Sequence, residues 1–229
     1  MKRNNSSNTK LKDLIPVNTI AINKQTLFVW LNAIFLIGLL IFDKADALTI
    51  VIAYFLETII IGIVHAFKMF TIIYRNPTSK ESYGTILFFL LHYMFFVAVQ
   101  LIFVFGFLGM KDSNITSGFN FIHNIGYVMT LKGMTIVLLS ILLYNLADYY
   151  YNFIQTEVYK RVKVKKIFFQ PYVRIIIQQF AVILGGFFII LISGIFVVAV
   201  LLILIRTFIE LVFIANYSSK NFHFLRKNS

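Results

Sequence analysis

Glu57 is the residue in this sequence whose chemistry needs the most explaining. It lies in Ala53-Tyr54-Phe55-Leu56-Glu57-Thr58, inside a long apolar run. A carboxylate in such surroundings is costly and requires a partner, water or a proton of its own. His65 follows eight residues later, partly off the same helical face, and Lys68 eleven later, back on that face. Lys68 is long enough to snorkel to the membrane surface. The next apolar run carries His92 and Gln100, again eight apart, and a later one carries Gln178 and Gln179. On antiparallel helices rising 1.5 Å per residue, His65, His92, Gln178 and Gln179 all fall about eight residues from the same membrane face, and Glu57 and Gln100 about sixteen. The spacing predicts a polar ladder, with Glu57 facing Gln100, and His65 and His92 facing Gln178 or Gln179. Such a ladder suits a proton relay, a metal site or a polar ligand cavity. An interhelical hydrogen-bond network that only fixes packing fits the same residues. One Glu with two His is a thin metal shell, so no metal is assigned, and no cofactor is assigned.

A second cluster is expected nearer the inner face. Arg174 follows Pro171-Tyr172, and Pro suits the first turn of a helix. Arg206 and Glu210 form an i, i+4 pair. With Asp148 these residues predict an ion-pair cluster that locks the helices, anion binding being the other reading. Gly185-Gly186 and Gly194 permit close helix approach. Enzyme motifs are missing: there is no HExxH, no GxSxG and no Gly-rich phosphate loop. Ser193-Gly194 lacks the upstream Gly of a rhomboid-type serine motif, and Ser140 has no evident base. No catalytic residue is assigned, and the reading leans away from an enzyme. The chain has no Cys, which excludes disulfides, thiolate metal sites and Cys nucleophiles.

The elements that must position these side chains follow from composition. Of 229 residues, 59% are apolar and 13% charged. A soluble fold of this size has too little interior to hide so much apolar surface. An all-α polytopic transmembrane bundle is expected, with six spans at about 26–42, 47–73, 84–108, 125–151, 171–192 and 195–214. The last two are separated only by Ser193-Gly194, and one long bent helix is the rival for 171–214. Residues 1–25 read as a basic cytosolic tail with the low-complexity stretch Asn4-Asn5-Ser6-Ser7-Asn8, and 216–229 as a second basic tail. The basic start, first apolar core and Ala45-Asp46-Ala47 resemble a cleavable signal peptide, but the long leader and nearby acidic residues argue against cleavage. No internal repeat is evident.

The net charge of +12 sits in short loops and tails beside apolar runs, which favours membrane orientation over nucleic-acid binding. With the N-terminus inside, 18 of the 21 Lys and Arg residues fall on the cytosolic side and only Lys44, Lys111 and Lys132 outside. This split predicts an even number of spans, a cell-membrane location and both termini in the cytosol. Lys160, Arg161, Lys163, Lys165 and Lys166 alternate with Val158, Val162, Val164, Ile167 and Phe168. An amphipathic helix lying against anionic lipid headgroups and an ordinary cytosolic loop both fit this pattern. Tyr149-Tyr150-Tyr151 reads as the inner aromatic belt. A protein partner or homo-oligomer remains open.

Tyr54-Phe55-Leu56-Glu57, followed by Ile61-Gly62 and Lys68-Met69, resembles a prokaryotic integral membrane family catalogued as domain of unknown function 6498. Phe88-Phe89 to His92-Tyr93, Pro171-Tyr172 with Arg174-Ile175, Gly185-Gly186, and Arg206-Thr207 with Glu210 extend the resemblance over roughly residues 30–215. The resemblance implies the membrane fold and the site positions and supplies no activity. The family pattern has histidines where this chain has Gln100 and Gln179, and Asp where it has Glu210. Those departures argue against a histidine-rich metal site. Three functions therefore stand: transport or ligand binding through the polar site, a structural or partner-binding role, and an intramembrane enzyme of unrecognised type.

Overall fold

The computed structural model describes residues 26–76, 81–110, 112–192 and 195–227, with most side chains between 180 and 198 and beyond 214 left out. The expected tail 1–25, the expected turn at Ser193-Gly194 and the side chain of Gln178 therefore lie outside the described residues. All regular structure among those residues is helical: α1 Leu27–Ile41, α2 Ala47–Arg75, α3 Tyr83–Gly109, α4 Phe121–Val128, α5 Met134–Ala147, α6 Val164–Ile192 and α7 Ile195–Lys227. A π-helical segment, Asp148–Ile154, continues α5, and a 3₁₀ turn spans Val158–Lys160. Among the described residues, three helices are long and apolar enough to cross a membrane: Ala47–Arg75, Tyr83–Gly109 and the combined Met134–Ile154. At 1.5 Å per residue, α2 is about 43 Å long, more than a hydrocarbon core of about 30 Å.

Helix α2 is the centre of the bundle. It packs against α3, α5, α6 and α7, while α1 lies against α5 and α7, and α3 against α6. Burial follows this arrangement: 72% of the most apolar stretch of α2 is buried, against 28% in α3 and in Met134–Ile154. Glu57 is carried on this most enclosed helix. The outer helices turn large apolar side chains away from the protein, among them Leu31 and Phe35, Leu87 and Leu91, Leu143, and Leu204. Apolar surface this continuous has no favourable solvent except lipid.

Three local structures differ from the sequence reading. The run 125–151 is not one helix. It breaks after Val128, and Gly133, at φ +82°, starts α5. A Cβ at Gly133 would stand 2.5 Å from the Lys44 carbonyl oxygen, so only Gly lets this turn dock on the α1–α2 connection. The dock is completed by Thr49 Oγ1 donating to the Lys132 carbonyl at 3.0 Å. Second, α6 begins at Val164, so Pro171 sits inside the helix and not in its first turn. It removes the N–H that would have reached the Ile167 carbonyl. Third, Val158, Val164, Ile167 and Phe168 are buried in the protein core, while Lys160, Arg161, Lys163, Lys165 and Lys166 are exposed. Their apolar side thus packs on the bundle.

The opposite end of the bundle is closed by polar loop contacts. Tyr127 donates to Asp112 at 2.7 Å and the Asn114 N–H donates to it at 3.0 Å. These donors hold the Asp112 carboxyl below its ordinary value, the Tyr127 hydroxyl foremost. A depressed folded value means that the contribution to stability is present above the unfolded value of about 3.9 and is lost as pH falls through the folded one. Tyr127→Phe is therefore expected to melt below the parent protein at neutral pH, with the gap closing as pH falls below the ordinary carboxylate value of about 3.9. A gap in melting temperature that stays constant as the pH drops further would contradict this.

Candidate functional site

Glu57 is fully buried and meets Arg206, not Gln100. Arg206 Nη2 donates to Glu57 Oε1 at 2.5 Å, across 149 residues of chain. Asn145 Nδ2 donates to the same oxygen at 3.2 Å. Arg206 Nη1 also donates to Asn32 Oδ1. The guanidinium carbon lies 5.4 Å from the Tyr54 ring centroid and 4.8 Å from that of Tyr144, which favours the cation further. Four helices thus converge on one ion pair: α1 through Asn32, α2 through Tyr54 and Glu57, α5 through Tyr144 and Asn145, and α7 through Arg206.

Two more ion pairs lie toward the end that carries segment 152–163. Glu210 is paired with Arg174 of α6, not with Arg206 one turn away on its own helix. Lys68 does not snorkel; its Nζ lies 2.9 Å from Asp148 Oδ2, and Asn152 donates to Asp148 Oδ1 at 3.0 Å. Asp148 opens the π-helical segment, a distortion that re-aims side chains at many functional sites. The cluster expected from Asp148, Arg174, Arg206 and Glu210 is therefore divided among three pairs, each joining two different helices.

Between these pairs lies a cavity of about 40 Å³, lined by His65, Lys68, Tyr144, Asn145, Asp148 and Arg174, among others. That is room for about three waters. His65 Nδ1 lies 2.9 Å from the Ile61 carbonyl, while its Nε2 is buried without a partner. The Tyr144 hydroxyl is buried without a partner as well. A smaller cavity of about 20 Å³ on the other side of Arg174 is bordered by Tyr54 and Arg206.

His92 is not brought to this site. Tyr93 takes the inward direction at that level, its ring against Gly62 and its hydroxyl donating to the Thr58 carbonyl at 3.0 Å. One residue earlier is about 100° around the helix, so His92 points outward. There it meets the Tyr172 hydroxyl at 2.7 Å among Phe88 and Phe96. Gln100 is 1% exposed, and neither polar atom of its amide has a partner. Gln179 is partly buried. No three His, Asp or Glu side chains converge as a metal shell among the described residues.

Sequence reading missed Asn32, Asn145, Tyr54 and Tyr144. Their signal was an amide or phenol inside an apolar run, but Asn and Tyr carry no charge to force attention. No curated protein and no solved structure matches the chain. A family model does, over residues 17–227, and the chain belongs to the Family of unknown function (DUF6498).

Proposed function

We propose that this chain is a six-span membrane protein, with both termini cytosolic, that binds or passes a small polar solute at the cavity beside Glu57. The observation that carries the reading is the cavity itself. A network that served packing alone has no reason to leave a space among charged side chains, with His65 and Tyr144 in its wall. In a bilayer, ionisable groups around a water-sized space mark solute and ion paths. Six spans are supported by α1, α2, α3, α5, α6 and α7 together with the 18-to-3 division of basic residues. The exposed Lys160, Arg161, Lys163, Lys165 and Lys166 then lie at the cytosolic surface, placed to meet anionic headgroups.

The structural reading has its own support, since three ion pairs knit α2, α5, α6 and α7. The absence of Cys from the chain allows a clean separation. In inside-out vesicles, His65→Cys is expected to react with a small cationic methanethiosulfonate at least about tenfold faster than Leu101→Cys in the dry core. Equal, slow reaction at both positions would leave only the packing role.

A further inference from the structure

His92 is an exposed histidine on a helix long and apolar enough to cross a membrane. Histidines in such helices almost always face the bundle interior or water, so its place needs a cause. It lies nine residues after Tyr83, the first residue of α3, which is about 14 Å along the helix. Helix α3 is about 40 Å long, and a hydrocarbon core is about 30 Å thick. With α3 centred in that core, His92 sits about 8 Å inside its boundary. At that depth there is no water to bond, and acyl chains offer no hydrogen-bonding group.

The His92–Tyr172 pair is also unfinished. His92 Nδ1 lies 2.7 Å from the Tyr172 hydroxyl, and neither side chain makes another hydrogen bond among the described residues. One donor and one acceptor are left over whichever tautomer the imidazole adopts. If the tyrosine donates to Nδ1, the Nε2 N–H and the tyrosine oxygen remain. If Nδ1 donates to the tyrosine, Nε2 remains as an acceptor and the hydroxyl as a donor. A unit with one free donor and one free acceptor at the same depth complements a copy of itself.

The surface around the pair suits close contact. Phe88 is stacked on the His92 ring at 5.4 Å between centroids, and Phe96 lies across it at 5.1 Å. Phe88, Phe95 and Phe96 of α3 are exposed, as are Phe169, Val173 and Ile176 of α6. Helices α3 and α6 pack on each other, so these side chains belong to one face. Helix α3 carries no Lys, Arg, Asp or Glu that would oppose its own kind across an interface.

We propose that this α3–α6 face is the interface with a second copy of the chain, in which each His92 hydrogen-bonds Tyr172 of the other copy. A twofold axis along the membrane normal keeps the two copies in the same orientation and brings residues of equal depth together. The two bonds between copies close a ring of four side chains in which every imidazole N–H and phenol O–H is used. A lipid fits the pair less well, because its hydroxyl and ester oxygens lie in the headgroup region, outside the hydrocarbon boundary. Neither His92 nor Tyr172 lines the cavity, so the interface stands apart from the solute site.

The test is single-molecule photobleaching of the full chain in liposomes at increasing protein density. The chain has no Cys, so one Cys added at the C-terminus takes one fluorophore per copy. Two-step bleaching is expected to rise with density. His92→Phe and Tyr172→Phe are each expected to weaken the dimer by at least about tenfold, since either change removes both bonds between copies. Leu143→Ala, at an exposed position on α5, is expected to leave it unchanged. One-step bleaching of the parent at every density overturns the proposal without any variant. A dimer that both ring variants leave intact, or that only one of them weakens, overturns it too. A parent monomer that retains a hydroxyl-bearing lipid through purification, lost in His92→Phe, would assign the face to lipid instead.

Discussion

Arg206→Met is expected to cost about 3–5 kcal/mol of folding stability, because it leaves a buried carboxyl without its cation. Glu57 would keep only Asn145 as a donor. Glu57→Gln is expected to cost less. Its amide oxygen still accepts from Arg206, and the cation keeps Asn32 and two ring faces, each worth up to about 2 kcal/mol when desolvated. The double change Glu57→Met with Arg206→Met removes both charges and fills similar volume. It is expected to recover to within about 1 kcal/mol of the parent, since a buried pair and an apolar replacement are often equal in stability. With Glu57→Met as the matching single, the unfolding free energies of the parent, the two Met singles and the double in one detergent give the coupling directly. If the double variant is as unstable as the sum of the singles, Glu57 and Arg206 are not direct partners and the α2–α7 contact must be redrawn.

Gly62→Ala is expected to destabilise by about 2–3 kcal/mol, through overpacking alone. A Cβ at this position would lie 2.5 Å from Tyr93 Cε1 and 2.6 Å from Cδ1. The ring cannot retreat, because Tyr93 is 0% exposed and Phe89 is stacked against it. Moving it also breaks the hydrogen bond from its hydroxyl to the Thr58 carbonyl, one residue from Glu57. The displacement therefore reaches the site as well as the α2–α3 interface. Gly38→Ala is the control: nothing lies within 4 Å of the added carbon, and Ala is the better helix former by up to about 1 kcal/mol. Gly38→Ala should hold or raise the melting temperature while Gly62→Ala lowers it. A Gly62→Ala protein that melts with the parent would show that α2 and α3 are less closely packed than this.

The site could be read from the sequence only along single helices. Residues 57, 65 and 68 share one helix, and a carboxyl in an apolar run must be buried or bonded; periodicity and hydropathy state both facts. The same reasoning failed between helices. Depth matching placed Glu57 opposite Gln100, but depth ignores rotation, and the direction of a side chain around its helix is set by what the neighbouring helix offers. Tyr93 against Gly62 claimed the inward face of α3, and His92 one position away was turned to the outside. On α7, the local i, i+4 pairing of Arg206 with Glu210 is worth only about half a kcal/mol, and both side chains bonded to other helices.

Composition and hydropathy therefore dictate the chemistry of the medium and the length of the elements. Apolar runs long enough to cross a hydrocarbon core satisfy every backbone group as helices, and a carboxyl within one of them must be reconciled with lipid. Its partner is chosen by the packing of the helices. That packing broke the run 125–151 at Gly133, extended α6 back past Pro171, and brought Asn32, Glu57, Asn145 and Arg206 together from four helices. Those contacts depend on the rotation and offset of whole helices, which many weak packing terms set jointly and no local spacing encodes.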